Sequence, residues 1–489
     1  MQATTKKLGL PSAISTCVGL IVATSCLLSL GRGIGMAGSS FVIAMAVVVV
    51  LNIFQAFTFT ELHSLMPNVD GGLGQYTLVG LGPGPSILSN LSAYFIVNLL
   101  SCSVEISMCG MVLHQLFLPM IPAPVISIAF LLILLAVNMM GVDIFAKLQN
   151  AVVALLLLSF LGMGIISFFR LGTGTAIPDA QKMAPSVSGI SGLVSMAGTA
   201  FWLFIGIEFV IPISKDLKHP KRDVPLAMIL GVCILFVLQS ILGTGMTNYV
   251  DLQTLSTAEM PHMVFAQNLL GNVGSIWMGI VTLLAGISTA NTVLGSVSKI
   301  LCGMAQNEML PSFFAKKNKR DVPYVGLLIL SAGIGIIVVS GLAETAGLSN
   351  MVLAASCFWL LSYILTNVTV LVLRHRYPNH PGRNKKLTLL GIPQIVCIFM
   401  DVFMIWNIAE GDERILIYKI CVVFLVALVA YALIWVKVVK KQKLFQHIDL
   451  ETVNGLTEES APVLGEPAPT PETVPAQASN LVHSVSSKL

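Results

Sequence analysis

The sequence predicts an all-α integral membrane protein of about twelve transmembrane helices, and three observations carry that prediction. Only 10% of the 489 residues are charged and 55% are hydrophobic, whereas soluble domains carry about 25% charged residues. The mean hydropathy is +0.88. Apolar runs of about 20 residues recur from end to end, each long enough to cross a hydrocarbon core of roughly 30 Å. The spans must be helical because lipid offers no partner to an unpaired backbone group.

In order, the spans fall at about 11–37, 41–65, 86–118, 124–140, 149–170 and 189–213. The second six fall at about 226–248, 271–300, 324–342, 347–373, 388–408 and 416–436. The gaps are short and rich in Gly and Pro, as in GLGPGPS and MIPAP. The N-terminal MQATTKKLGLPSAIS has no small-residue cleavage site, so the first apolar run is expected to be retained.

Lys and Arg in alternate loops set the orientation. One side takes Lys6, Lys7, Lys147, the group from Lys215 to Arg222, Lys299, the group from Lys316 to Arg320, Arg374 to Lys386 and the tail from Lys437. That is about 22 of the 27 basic residues, and the other side holds Arg170, Lys182, Arg414 and Lys419. Both termini are therefore expected in the cytoplasm, with the chain in a plasma (cell inner) membrane. Residues 1–443 read as one membrane domain. Residues 444–489, with GEPAPTPETVPAQAS, read as a disordered tail.

Several function classes are disfavoured. Basic patches interleaved with aromatics, the mark of nucleic-acid binding, are absent. The nine cysteines all lie in apolar runs without a CxxC pair or a His cluster, so they read as buried apolar residues and predict no metal site or cofactor. An enzyme would need a converging set such as HExxH, GxSxG or paired aspartates, and none is present.

Two spans look interrupted. The first reads VGLIVATSCLLSLGRGIGMAG, with the small and polar run Ala23, Thr24, Ser25 and Cys26 in mid-span. The sixth reads FWLFIGIEF, with a Gly206-Ile207-Glu208 break, and ends in the basic KDLKHPKRDVP. The two lie five spans apart, in matching places of two five-helix halves, and an odd-numbered repeat inverts in the membrane. Paired interruptions of this kind point to a binding site at the midplane. Unwound turns offer N–H groups to a carboxylate and C=O groups to an ammonium or cation. An amino acid supplies both charges. The small residues of the first span also permit plain close packing.

These stretches, with FTFTELHSLMPNVDGGLGQY at the end of the second span and KILCGMAQNEMLPSFFAKKNKRDVPY after the eighth, resemble the amino acid–polyamine–organocation permeases. The resemblance runs over nearly the whole membrane part. It implies a LeuT-type fold, with spans 1–5 and 6–10 as inverted repeats followed by two peripheral helices. It implies a substrate held at the two breaks by its backbone ends. Ala23, Thr24, Ser25 and Cys26 would meet the carboxylate, and Ile205, Gly206 and Ile207 would bracket the ammonium. Trp202 falls where the family often places an occluding aromatic. Ser288 and Thr289, in LAGISTANT, match the place where sodium-coupled relatives of the fold hold a cation, with carbonyls near Gly19 and Val22. Against the family pattern, Ala23 and Ser25 replace glycines, and the fifth-span lysine is missing from AVVALLLLSF.

Glu208 and Glu105 (in CSVEIS) are carboxylates in mid-membrane, and such groups are costly unless paired, protonated or functional. Both are candidates for proton sensing or coupling, with a structural hydrogen bond as the alternative, and Glu208 also for recognition of a cationic substrate. Arg32 offers a partner to Glu105 or Glu208. Glu61, Asp143 and Lys147 read as fold-closing or gating, His63 and His114 as structural. Asp401 lies outside the repeat core, where a role away from the substrate is expected. The reading is a secondary carrier for an amino acid or related amine. Symport with protons or sodium competes with exchange, and a sensor of the same fold that has lost transport is a third class.

Overall fold

The computed structural model describes residues 7–67, 69, 72–141, 149–182, 184–187, 189–211, 214, 217–342, 346–383 and 391–451. Lys6, Asp143, Lys147, Lys215, Lys386 and the tail from Thr452 lie outside the described residues. Helices are the only regular elements among the described residues.

The first span is two helices, α1 (Leu10–Ile21) and α2 (Thr24–Ala37), followed by α3 (Phe41–Leu65). Short helices α4 (Leu73–Leu81) and α5 (Pro83–Asn90) lead through a π turn at Leu91–Ile96 into α6 (Val97–Leu116). Then come α7 (Ala123–Met139) and α8 (Gln149–Phe168). The sixth span is fragmented into α9 (Gly189–Ser195), α10 (Ala197–Phe201) and two short 3-10 turns, Trp202–Phe204 and Ile207–Val210.

The second half holds α11 (Pro220–Met246), α12 (Leu252–Thr257), α13 (Pro261–Gln306), α14 (Tyr324–Val339), α15 (Ala346–Arg376), α16 (Ile392–Trp406) and α17 (Gly411–Leu433). Among the described residues, seven helical stretches are long and apolar enough to cross a membrane, and five shorter apolar helices accompany them.

Two boundaries differ from the sequence reading for local reasons. Helix α11 starts at Pro220, six residues before the expected 226, because a proline at the first position loses no helical bond. Helix α13 starts at Pro261 and runs through Gly271, where φ is 62°. The polar Gln267, Asn268 and Asn272 there lower the hydropathy, so the apolar signal begins a turn or more too late.

The broken first span sits at the centre. Helix α1 packs on α11 and the Ile207–Val210 turn, and α2 packs on α13, α6 and α10. Helices α16 and α17 lie outside, against α15. On α17 the side chains of Val422, Val423 and Val426 point outward, between 56% and 67% exposed. Such a ridge is unfavourable in water and suited to acyl chains.

The chain does not leave the helices at Lys443. Gly84 N donates to Leu444 O at 3.0 Å, Tyr377 Oη donates to Asp449 Oδ1 at 3.2 Å, and Leu450 is fully buried. The segment 444–451 is therefore laid across α4, α5 and the end of α15, ahead of the tail.

Candidate functional site

The break in the first span lies at Val22 and Ala23. Val22 leaves the helix at φ −77°, ψ 80°, and Ala23 is extended at φ −107°, ψ 162°. Helix α2 thus begins at Thr24 with no side-chain cap of its own. A helix start leaves its first N–H groups unpaired, and inside a membrane they need a partner. Glu105 of α6 supplies it. Thr24 N donates to Glu105 Oε2 at 3.0 Å, and Ser25 N donates to Glu105 Oε1 at 2.9 Å. One carboxylate oxygen serves each amide, from a residue that is 1% exposed.

Close packing fixes Glu105 there. A Cβ on Gly286 of α13 would lie 2.3 Å from Cys109 Sγ, 3.4 Å from Thr24 Oγ1 and 3.5 Å from the Glu105 carbonyl. Only glycine lets α13 approach α6 this closely. Thr24 Oγ1 completes the junction by donating to Thr282 O at 3.1 Å.

The second break is built differently. Ile205 is extended at φ −76°, ψ 142°, and Gly206 is left-handed at φ 99°, a conformation that costs other residues energy. Freed carbonyls are satisfied from outside. Gln239 Nε2 of α11 donates to Leu203 O at 3.2 Å, and Cys17 Sγ of α1 donates to Ile207 O at 3.6 Å.

The two breaks meet. Trp202 Nε1 donates to Ser25 Oγ at 3.0 Å, and Cys26 Sγ approaches Trp202 O at 3.7 Å while donating to Ile21 O at 2.9 Å. Between them lies a cavity of about 60 Å³, lined by Ala23, Ser25, Cys26, Trp202, Ile205 and Glu105 among others. Ligand sites are typically several hundred Å³, so the space between the breaks is small. Ser296 lines this cavity and also a second, polar one of about 430 Å³ that reaches Lys299 and Arg320.

Of the residues singled out from sequence, Gly206, Ile207 and Thr24 are buried beside the cavity without lining it. Thr289 lines it with Oγ1 unpartnered, whereas Ser288 is buried elsewhere on α13. Gly19 and Val22 are buried in the wall of α1. Glu208, 3% exposed, does not line the cavity either. Its Oε2 accepts from Tyr363 Oη at 2.8 Å, and Oε1 has no partner among the described residues.

Arg32 answers neither acid. Its partner is Glu413 in the first turn of α17, at 2.5 Å, because the polar end of α2 meets the α16–α17 turn. Glu61 closes α3 onto α15 through Arg374, whose Nε lies 2.9 Å from Oε1. His114 Nδ1 pairs with Ile121 O at 2.8 Å. Asp401, 3% exposed in α16, stands away from the cavity with Oδ2 unpartnered.

Sequence reasoning missed Tyr94, Asn98 and Ser101, and the aromatics Phe209 and Trp359. All five line the cavity. Tyr94, Phe209 and Trp359 pack edge to face or tilted with ring centroids 6.0 to 6.4 Å apart. A usable signal existed. Residues 94, 98, 101 and 105 recur at helical spacing and put polar groups on one face of an apolar span.

Comparisons with known proteins bear on the whole chain. The family model described as "Amino acid permease" matches residues 12–446. A histidine permease of Lactococcus lactis is 24% identical over 64% of this chain and 68% of its own length. A putrescine transporter of Escherichia coli is 21% identical over 87% of this chain and 95% of its own. A cationic amino acid transporter of Arabidopsis thaliana, described as mitochondrial, is 25% identical over 39% of this chain and 30% of its own.

Proposed function

The chain belongs to the amino acid permease family, and on that premise we propose that it is a secondary carrier for an amino acid or related amine. The solute binds in the cavity between the two breaks, and access alternates between the two membrane faces around it. The observation that carries this reading is the contact of the breaks through Trp202 and Ser25, over a cavity that also holds a carboxylate. Relatives described as a histidine permease and a putrescine transporter support the solute class.

In this reading spans 1–5 and 6–10 are inverted repeats, and α16 and α17 are peripheral. Trp202 is the lid, held by Ser25. The extended Ile205, which lines the cavity, presents its carbonyl to an ammonium group, and the left-handed Gly206 turns the chain behind it. Glu208 senses the state of the second break through Tyr363 rather than touching the solute. Thr289 offers a hydroxyl to a solute or a coupling cation. The side with Lys299 and Arg320 is cytoplasmic, so the polar cavity beyond Ser296 is the inner exit.

The test is uptake by purified protein in liposomes, screened against labelled amino acids and amines under imposed proton, sodium or counter-solute gradients. At least one solute accumulates above empty liposomes, and the gradient that drives it separates symport from exchange. If none moves under any gradient, the carrier reading is wrong.

A further inference from the structure

The Thr24 and Ser25 amides are the donors that an interrupted first span offers to an anion, and both are already engaged. Glu105 takes them at 3.0 and 2.9 Å. The next amide, Cys26 N, is turned back to Ala23 O at 3.1 Å. The nearby Thr24 hydroxyl is committed to Thr282 O. The Trp202 indole N–H is committed to Ser25 Oγ. Among the described residues no Lys, Arg or His lines the cavity. A solute carboxylate would find the amide donors of the break spent and a second carboxylate in their place; the unpartnered Trp359 indole N–H is a neutral donor and does not offset that repulsion as a cation would.

What remains in the cavity is of the opposite character. Glu105 brings negative charge to the wall. Asn98 spends one amide hydrogen on Tyr94 O at 2.8 Å, which leaves its amide oxygen to accept and its other N–H to donate. Thr289 Oγ1 is unpartnered. The rings of Tyr94, Trp202, Phe209 and Trp359 line the rest, and ring faces attract cations. Acceptors and π faces without basic groups make a receptor for an ammonium ion.

We propose that Glu105 is a resident carboxylate that stands in for the solute's own at the break of the first span. The solute selected is therefore an amine or diamine without a carboxylate. This rests on the carrier reading above and narrows its substrate. Glu105 acts twice, capping α2 through its two oxygens and presenting negative charge to the ammonium group.

The experiment compares amino acids with their decarboxylated partners on the full-length protein in liposomes. The pairs are ornithine and putrescine, lysine and cadaverine, histidine and histamine, phenylalanine and phenethylamine. Each is tested for binding to the protein and as a competitor of the transported solute. In the wild type the amine of an accepted pair binds at least tenfold more tightly than the amino acid. Glu105→Gln, which keeps one acceptor oxygen for the amides, lowers amine affinity about tenfold and narrows the ratio. An amino acid that binds more tightly than its amine overturns the proposal and leaves the carrier reading standing. The wild-type comparison does not depend on the variant folding. A ratio unchanged by Glu105→Gln in a folded variant also overturns it. If no member of any pair binds or moves, proposal and carrier reading fall together.

Discussion

Replacing Glu61 by Gln tests how the ends of α3 and α15 are held together. In the structure Arg374 Nε lies 2.9 Å from Glu61 Oε1, and Nη2 lies 2.5 Å from Oε2. The two side chains are only 9% and 2% exposed. At 2.9 Å and an effective dielectric of about 20, the charge interaction is about 6 kcal/mol, much of it offset by lost hydration. Removing one partner of such a pair costs about 3–5 kcal/mol because the other charge stays buried and unpaired. Glu61→Gln keeps an acceptor, and Arg383 Nε lies 3.8 Å from Glu61 Oε1 as a second cation left without its anion. The expected cost is therefore about 3 kcal/mol. Unfolding purified protein with SDS in mixed micelles measures it, for Glu61→Gln, Arg374→Gln and the double variant. The double variant is expected to lose at least about 1 kcal/mol less than the two single losses together. A single-variant loss under about 1 kcal/mol, or strict additivity, would refute the reasoning.

Three further outcomes follow from the same geometry. Trp202→Phe removes the indole bond to Ser25 Oγ, worth about 1 kcal/mol. It should weaken solute binding about fivefold, Ser25→Ala should do nearly the same, and combining them should add little, as titration calorimetry can show. Gly286→Ala drives a Cβ to 2.3 Å from Cys109 Sγ and should cost about 1–3 kcal/mol, with Cys109→Ala in the same chain restoring most of the loss in an SDS titration. Asp251 caps α12 by accepting from Thr254 N at 2.8 Å and Oγ1 at 2.7 Å, and these bonds hold its carboxyl below the usual range. Its contribution is present above the unfolded carboxylate range and is lost as the pH falls through the lowered folded value. Asp251→Ala should therefore speed amide exchange across 252–257 at neutral pH, at a cost of about 0.5–1 kcal/mol for so exposed a cap.

Much of the frame was legible in the sequence, and particular residues show where legibility ended. Hydropathy and length found the apolar helices because burial in lipid needs only enough apolar side chains in a row. The breaks were legible from Gly206 and from the small run after Val22, since an unwound turn needs small or left-handed residues. How far the sixth span is fragmented was not. The stretch Ala197–Val210 reads as one apolar run, and hydropathy does not record backbone direction.

Partners across the bundle were hidden for another reason. Glu105 lies 81 residues from Thr24, and Arg32 lies 381 residues from Glu413. Such pairs are set by helix packing, to which a single chain gives no coordinate. Helical spacing of Tyr94, Asn98, Ser101 and Glu105 did carry the site's third wall. A polar face on an apolar span needs a cavity or a partner, and that argument was available from residue numbers alone.

The most direct measurement of the account is protection of a cysteine placed in the cavity. Ser101 is 8% exposed and lines the cavity one helical turn from Glu105. In the Ser101→Cys variant, reconstituted and active, a small membrane-permeant thiol reagent should label the new site, read at position 101 by peptide mass spectrometry because the native Cys26 lines the same cavity. A saturating transported solute should slow that labelling at least tenfold, while a solute that is not transported leaves it unchanged. If a transported solute does not slow labelling at position 101, the site does not lie between the two breaks, and the account is contradicted at its centre.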